Sequence, residues 1–245
     1  LNLGCPAPVV YRKNAGGGLL RKQGQMETIL ATMRDAIDGK FTVKTRVGFE
    51  DHGEFPDLLE IFKRHSIDLL TIHGRTVRER YQTPVHTDCI QLAAEQMNCP
   101  VIANGNVVDV ETGRGFIRET GADGLMIGRG AIRNPWIFDQ LRASYSGEAP
   151  KTITRADLLG YIEDLYQEIA THADDYDEVK HVNRMKKYMV YIVQGIDQAF
   201  EHQIRRASSA SEFKRICTDF LDNREPIPLR PPENSKLFCG FESLR

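Results

Sequence analysis

The chain has 245 residues, 41% hydrophobic and 27% charged, with a formal net charge of −2 at pH 7. That length holds one large domain, or a medium domain with a small one, and the composition is that of a globular chain. No apolar run approaches the roughly 20 residues of a membrane-spanning helix, no signal-peptide pattern is present, and the near-zero charge gives no global drive toward nucleic acid, so any RNA-binding surface must come from local clustering.

The first residue is Leu1 rather than Met, and the chain begins inside a motif, Asn2-Leu3-Gly4-Cys5-Pro6, so an upstream segment is expected. A cysteine between Gly and Pro after a strand-like start sits on a sharp turn. A thiol there can donate a proton or act as a nucleophile; a small buried residue in a turn accounts for it equally well. The five cysteines (Cys5, Cys89, Cys99, Cys217, Cys239) form no close-spaced pair. This argues against a zinc site and a disulfide scaffold, and fits a reducing cytoplasm.

From Phe41 to about Gly130 short apolar runs alternate with longer helix-like stretches. The pattern predicts strands over Phe41–Val47, Asp68–His73, Pro100–Asn104 and Asp123–Gly128. It predicts helices over Phe55–His65, Thr87–Met97 and Val110–Glu119. A βαβα rhythm implies a parallel sheet covered by helices. In the first strand Phe41, Val43 and Val47 share one face, while Thr42, Lys44 and Arg46 share the other. Two inward cations are costly unless they meet an anion or line a wet site. The strands end on His73, Asn104-Gly105-Asn106 and Gly128-Arg129. Both a (β/α)8 barrel and an open doubly wound sheet bind ligands at such ends.

Beyond Pro150 the alternation stops. Thr154 with Asp157 three residues later reads as a helix start. Leu158, Ile162, Leu165 and Ile169, then Met185, Met189, Ile192 and Val193, repeat at helical spacing. The expected organisation is an α/β domain over 1–145, a helical domain over 146–224 and an extended proline-rich tail over 225–245.

Five motifs stand in order. They are Asn2-x-Gly-Cys-Pro with Gly16-Gly-Gly-Leu-Leu20, Val43-Lys44-Thr45-Arg46, His73-Gly74-Arg75-Thr76, Ile102-Ala-Asn104-Gly105-Asn106, and Met126-Ile-Gly128-Arg129-Gly130. Together they resemble the dihydrouridine synthase family across about residues 1 to 140. The resemblance implies the C-terminal part of a TIM (β/α)8 barrel followed by a small all-helical domain. A complete barrel takes about 250 residues and eight strands, so roughly 100 residues would precede Leu1.

The likeness further implies a flavin mononucleotide (FMN) enzyme of the cytoplasm, monomeric when complete and without metal. It would reduce selected uridines in tRNA, with NADPH as the electron source. The flavin would supply hydride to carbon-6 of uracil, and Cys5 would protonate carbon-5 from the other side. Asn2 would hold the uracil edge and Arg75 would lie near the substrate. Lys44 and His73 would contact the flavin; a cation near its pyrimidine end stabilises the negative charge of the reduced form. Asn104-Gly105-Asn106 and Gly128-Arg129 would grip the phosphate through close backbone N–H groups and a bidentate arginine. The isolated segment is expected to hold FMN weakly.

Plainer readings stand beside these: a solvated strand-end lysine for Lys44, a satisfied core histidine for His73, ordinary strand-to-helix turns for the glycine motifs, and a solvated charged loop for Arg78 and Arg80. After Tyr81 the chain reads Gln82-Thr-Pro-Val-His-Thr-Asp88, where the family more often has a glycine and then a tryptophan. In the helical region Lys180, His181, Arg184, Lys186 and Lys187 form a basic run. Arg205, Arg206, Lys214 and Arg215 form a second cluster. Either suits phosphate contact if its cations share a face; the adjacent acidic stretch Asp174–Glu178 allows a charged helix of mixed faces instead. A flavin barrel acting on a free pyrimidine is a competing reading, as is an RNA-binding relic with no working flavin site. The basic helical region separates the first of these from a tRNA enzyme.

Overall fold

The computed structural model describes residues 1–171, 177–235 and 237–238. The described residues divide into two units, one holding 1–107 and 111–128, the other 108–110 and the described residues from 129 to 238.

The first unit contains α1 (Pro8–Tyr11), a 3-10 turn (Gly16–Arg21), α2 (Gln23–Ala36), β1 (Thr42–Arg46), a short 3-10 turn (His52–Glu54) and α3 (Phe55–Arg64). These are followed by β2 (Leu69–His73), α4 (Thr87–Gln96), β3 (Val101–Asn104), α5 (Val110–Thr120) and β4 (Gly124–Met126). The strands are parallel and lie in the order β1-β2-β3-β4. Parallel neighbours require a crossover connection, and α3, α4 and α5 supply the three. Residues 1–3 lengthen the sheet beside β1: Asn2 bridges Lys44, Leu3 N donates to Lys44 O at 2.7 Å and Lys44 N to Leu1 O at 2.9 Å. Spatial order therefore follows chain order without reversal among the described residues.

The expected strands and helices of this region all form, with no end shifted by more than two residues. Val43, Leu70, Ile72, Val101 and Ala103 are buried, as are Leu58, Leu59 and Phe62 of the strongly amphipathic α3. Thr45, a polar residue on the buried face of β1, is satisfied by donating its hydroxyl to Arg46 O at 2.9 Å. Sequence periodicity missed α2, because among its fourteen residues only Met26 and Leu30 are buried.

The second unit is helical among the described residues: α6 (Arg129–Arg133), α7 (Ile137–Tyr145), α8 (Arg155–Thr171), α9 (Glu178–Ile192), α10 (Gln198–Ile204) and α11 (Ala210–Leu221). Both predicted apolar stripes enter one core with Phe200, Phe213 and Leu221; Leu165 and Ile169 lie at its margin. The helix start at Thr154 has the expected reciprocal cap: Asp157 N donates to Thr154 Oγ1 at 3.2 Å and Thr154 N to Asp157 Oδ2 at 2.9 Å.

The sequence boundary at 145/146 leaves α6 and α7 in the first domain, whereas the structure groups them with the later helices. The buried Arg133 of α6 is one reason: it donates to the carbonyls of Tyr191 and Ile192 at the end of α9, and to those of Pro228 and Leu229. Those last bonds also order the extended segment after Arg224, which bridges Thr154 through Pro226. Most of the acidic stretch, Asp174 to Tyr176, lies outside the described residues, as do Lys236 and the tail from Cys239 onward.

Candidate active site

The register of the sheet sets Arg46, His73, Asn104 and Met126 side by side at the C-terminal strand ends, and pairs Asn2 with Lys44 two residues behind. Cys5 follows directly from the Asn2 end of that arrangement. The Asn2 side chain folds back on the turn, its Oδ1 accepting from Gly4 N at 2.9 Å. The glycine run packs on the turn's other side. Gly17 N donates to Cys5 O at 3.1 Å. A Cβ on Gly16 would stand 2.8 Å from Cys5 Cβ, and Gly16 has a φ of +52°, which favours glycine. The separation of Cys5 from Gly16 in sequence thus becomes direct contact in space, and the thiol is left half-buried.

Lys44 is half-buried beside the thiol turn. Burial first, and then the neighbouring Arg46, push its pKa below the ordinary lysine value. No carboxylate among the described residues contributes to that balance, so an anion would be favoured here. His73 is buried at the end of β2 with its ring edge-on to Tyr81, centroids 5.8 Å apart. Asn104 Nδ2 donates to Met126 O at 2.8 Å, and Gly74 N to Asn104 O at 3.2 Å. A Cβ on Gly105 would come within 2.7 Å of Phe116.

Arg75 is 1% exposed. It donates Nε to Thr83 O at 2.6 Å and both terminal nitrogens to Asn106 Oδ1 at 3.3 Å. Two residues expected to contact different ligands are therefore bonded to each other, and the guanidinium ties the loop after β2 to the loop after β3. Gly128 ends the first unit in the open, with nothing within 4 Å of a Cβ built on it. Arg129 begins α6 in the second unit.

Sequence reasoning left Arg46 without a role. It is 2% exposed and donates Nε to Gly4 O at 3.0 Å, and Nη1 to Thr76 O at 2.7 Å and Arg80 O at 2.9 Å. The same guanidinium lies 5.4 Å from the Tyr81 ring centre. Burial draws its pKa down; Tyr81 first, then Cys5 and Glu79, act against that. The one available signal was the inward cation two residues after Lys44. It meets three backbone carbonyls where an anion or a wet site was expected.

In the second unit the basic run splits. His181 is buried against Tyr166, and burial lowers its pKa. Lys186 donates to Ala207 O at 2.7 Å. Lys180, Arg184 and Lys187 remain exposed at helical spacing along one face of α9. In the second cluster Arg205 pairs with Glu201, Arg215 with Asp219, and Lys214 lies 5.3 Å from the Tyr166 ring centre.

The profile of the family described as Dihydrouridine synthase (Dus) matches residues 1–225. The chain is 32% identical over 218 residues to tRNA-dihydrouridine synthase B of Klebsiella pneumoniae, and 33% identical over 221 residues to that of Vibrio parahaemolyticus. These alignments cover 86% and 88% of the chain, and 65% and 63% of the relatives. The Escherichia coli K12 protein of the same name matches at 32% over 218 residues, 86% of this chain and 65% of its own. The chain belongs to the dihydrouridine synthase family, and it spans just under two thirds of the length of these curated relatives.

Proposed function

We propose that this chain carries the catalytic turn of an oxidoreductase that reduces uridine in tRNA to 5,6-dihydrouridine, with Cys5 as the proton donor. The observation that supports this best is the placement of the Cys5 turn. A half-buried thiol is clamped between Gly16 and the Arg46-held carbonyl of Gly4, three residues past the Asn2 bridge to Lys44, a lysine that no carboxylate among the described residues offsets. We read the unreversed parallel run of residues 1–3 and β1–β4 as an arc of a (β/α)8 barrel, since a doubly wound sheet reverses its order at a switch point. The helical residues after it form the accompanying small domain.

The residues present fit a bound flavin. Lys44 offers a cation that no carboxylate among the described residues balances, and His73, Asn104, Gly105 and Asn106 lie at the neighbouring strand ends. These would hold FMN; Gly128 and Arg129 are assigned to its phosphate on the family likeness alone. When bound and reduced by NADPH, the flavin supplies hydride to carbon-6 of the uracil ring. The Cys5 thiol gives its proton to carbon-5, which completes saturation of the double bond and leaves a thiolate to be reprotonated. Asn2 orients the uracil edge, and Arg75 orders Asn106 and the loop beside the substrate. The exposed cations of α9 contact tRNA phosphates. The four described cysteines are free, consistent with a cytoplasmic enzyme, and we take it to work as a monomer.

Mapping dihydrouridine in tRNA from cells with the intact gene, without it, and with Cys5→Ala tests this reading. The deletion and the substitution should both lose the same dihydrouridine positions while the purified Cys5→Ala protein keeps its flavin. Unchanged dihydrouridine in the substituted strain removes Cys5 from the mechanism.

A further inference from the structure

His86 stands in the loop after β2, directly before α4. His86 N donates to Gly74 O at 2.7 Å, fixing its backbone to the end of β2. Its ring stacks on His52 with centroids 4.0 Å apart and planes 14° apart. Its Nε2 lies 2.8 Å from Glu79 Oε1. The other oxygen of Glu79 accepts from Thr76 N at 2.7 Å, and Glu79 N donates back to Thr76 Oγ1 at 3.2 Å. Desolvation works against the Glu79 carboxylate, but the bonds from Thr76 and His86 outweigh it and hold the group below the ordinary glutamate range. His52 belongs to the loop after β1, capped by Asp51 and Glu54. That loop is bonded to the same segment through Val77 N to Gly48 O and Arg78 N to Phe49 O.

This cluster leads directly to the thiol turn. Thr76 and Arg80 present the two carbonyls that Arg46 grips, and Arg46 grips the carbonyl before Cys5. Arg80 has a φ of +54°, a left-handed conformation that a non-glycine residue keeps only when its surroundings enforce it. The fold therefore runs an unbroken set of bonds from the His52–His86 stack through Glu79 and Arg46 to Gly4.

We infer that Glu79, pinned between Thr76 and the His86–His52 stack, is a positioning residue that sets the Cys5 turn through Arg46. Without the pin, the segment from Thr76 to Arg80 relaxes toward ordinary backbone angles, Arg46 loses two of its three carbonyls, and the turn before Cys5 gains freedom. The thiol then becomes more open to reagents and less well placed to protonate a ring carbon. Glutamine at position 79 can accept from Thr76 N with its oxygen and donate to His86 with its amide, so it keeps both contacts. Alanine keeps neither. The catalytic side of this inference rests on the proposed function; its structural side does not.

The test uses the intact protein, with no tRNA and no electron donor, and follows iodoacetamide labelling of Cys5 by peptide mass spectrometry. Glu79→Ala and His86→Ala should each speed labelling about fivefold or more, the size of effect seen along coupled networks. The double variant should be no faster than the quicker single. Glu79→Gln should stay close to the parent. Labelling at the parent rate in both alanine variants, or equal acceleration in Glu79→Gln, overturns the inference, as does independent addition in the double variant. Thermal unfolding of each variant confirms that the chain remains folded. A second arm measures dihydrouridine formation: Glu79→Ala should lower kcat with little change in KM for tRNA, and Glu79→Gln should restore most of it. Faster labelling in an enzyme for which Cys5→Ala is silent would refute the proton-donor reading while leaving the positioning role standing.

Discussion

Arg46 at the end of β1 donates Nε to the carbonyl of Gly4, 3.0 Å away and one residue before Cys5. Its other bonds go to Thr76 and Arg80, so a single buried guanidinium joins the thiol turn to the loop after β2. Removing it strands three carbonyls in a buried setting, where a buried group left without its partner costs about 1–3 kcal/mol. Partial rehydration offsets some of that, and Arg46→Ala is expected to lower stability by about 3 kcal/mol. Arg46→Lys keeps the charge but cannot reproduce the planar fork, and should recover less than half. Urea unfolding measures both; a loss under about 1 kcal/mol for the alanine variant would mean the carbonyls find other donors.

The fold of this region was readable because β1, β2 and β3 each have a buried β-branched or aliphatic face and each crossover helix an apolar side, most clearly α3 with Leu58, Leu59 and Phe62. Strand ends were readable from polar residues at His73 and Asn104. The pairing of Arg75 with Asn106, and of Arg46 with Gly4, was not. Both depend on which loops the register brings together, and side-chain periodicity carries no information about that. The division of the basic run on α9 was hidden for a related reason: the 3.6-residue period places His181 inward and Lys180 outward only once the buried face of the helix is fixed.

Gly16 separates two requirements that one substitution violates together. Its φ of +52° disfavours any side chain, and an added Cβ would meet Cys5 Cβ at 2.8 Å. Gly16→Ala should cost about 1–3 kcal/mol through the strained backbone alone. It should also slow alkylation of Cys5, because the new methyl covers the thiol. Chemical denaturation and timed alkylation read the two effects separately. A variant with parental stability would show that the 12–16 loop can move away freely.

Lys44 is held in a setting that disfavours its charge. Its folded-state pKa lies below the ordinary value of 10.5 because of burial and Arg46. Between those two values the unfolded chain binds more protons than the folded one, so stability should rise as pH climbs through that window. Lys44→Met removes the charge at every pH. It should therefore be slightly more stable than the parent at pH 7, by ~1 kcal/mol or less, and should lack the alkaline rise. Flavin retention should fall in the same variant, which distinguishes a lysine kept for binding from one kept for folding. Parallel urea titrations from pH 7 to 10.5, with flavin absorbance on the purified intact protein, test both halves; a less stable Lys44→Met protein contradicts the first.

The exposed face of α9 gives the most direct test of RNA contact. Arg184 and Lys187 are exposed on one side of the helix, whereas Arg215 is paired with Asp219 at 2.8 Å. A cation that contacts a phosphate releases a counterion, so its loss weakens binding and also flattens the dependence of affinity on salt. Arg184→Ala with Lys187→Ala in the intact protein should reduce tRNA affinity and lower the slope of log K against log salt by about 1.5, close to the two contacts removed. Arg215→Ala should change the slope far less, because its charge is already balanced. Filter binding at several salt concentrations measures all three proteins. A double variant whose affinity falls while its salt slope stays parental would mean that the helix was perturbed without any phosphate contact being lost, and would move the RNA-binding surface elsewhere.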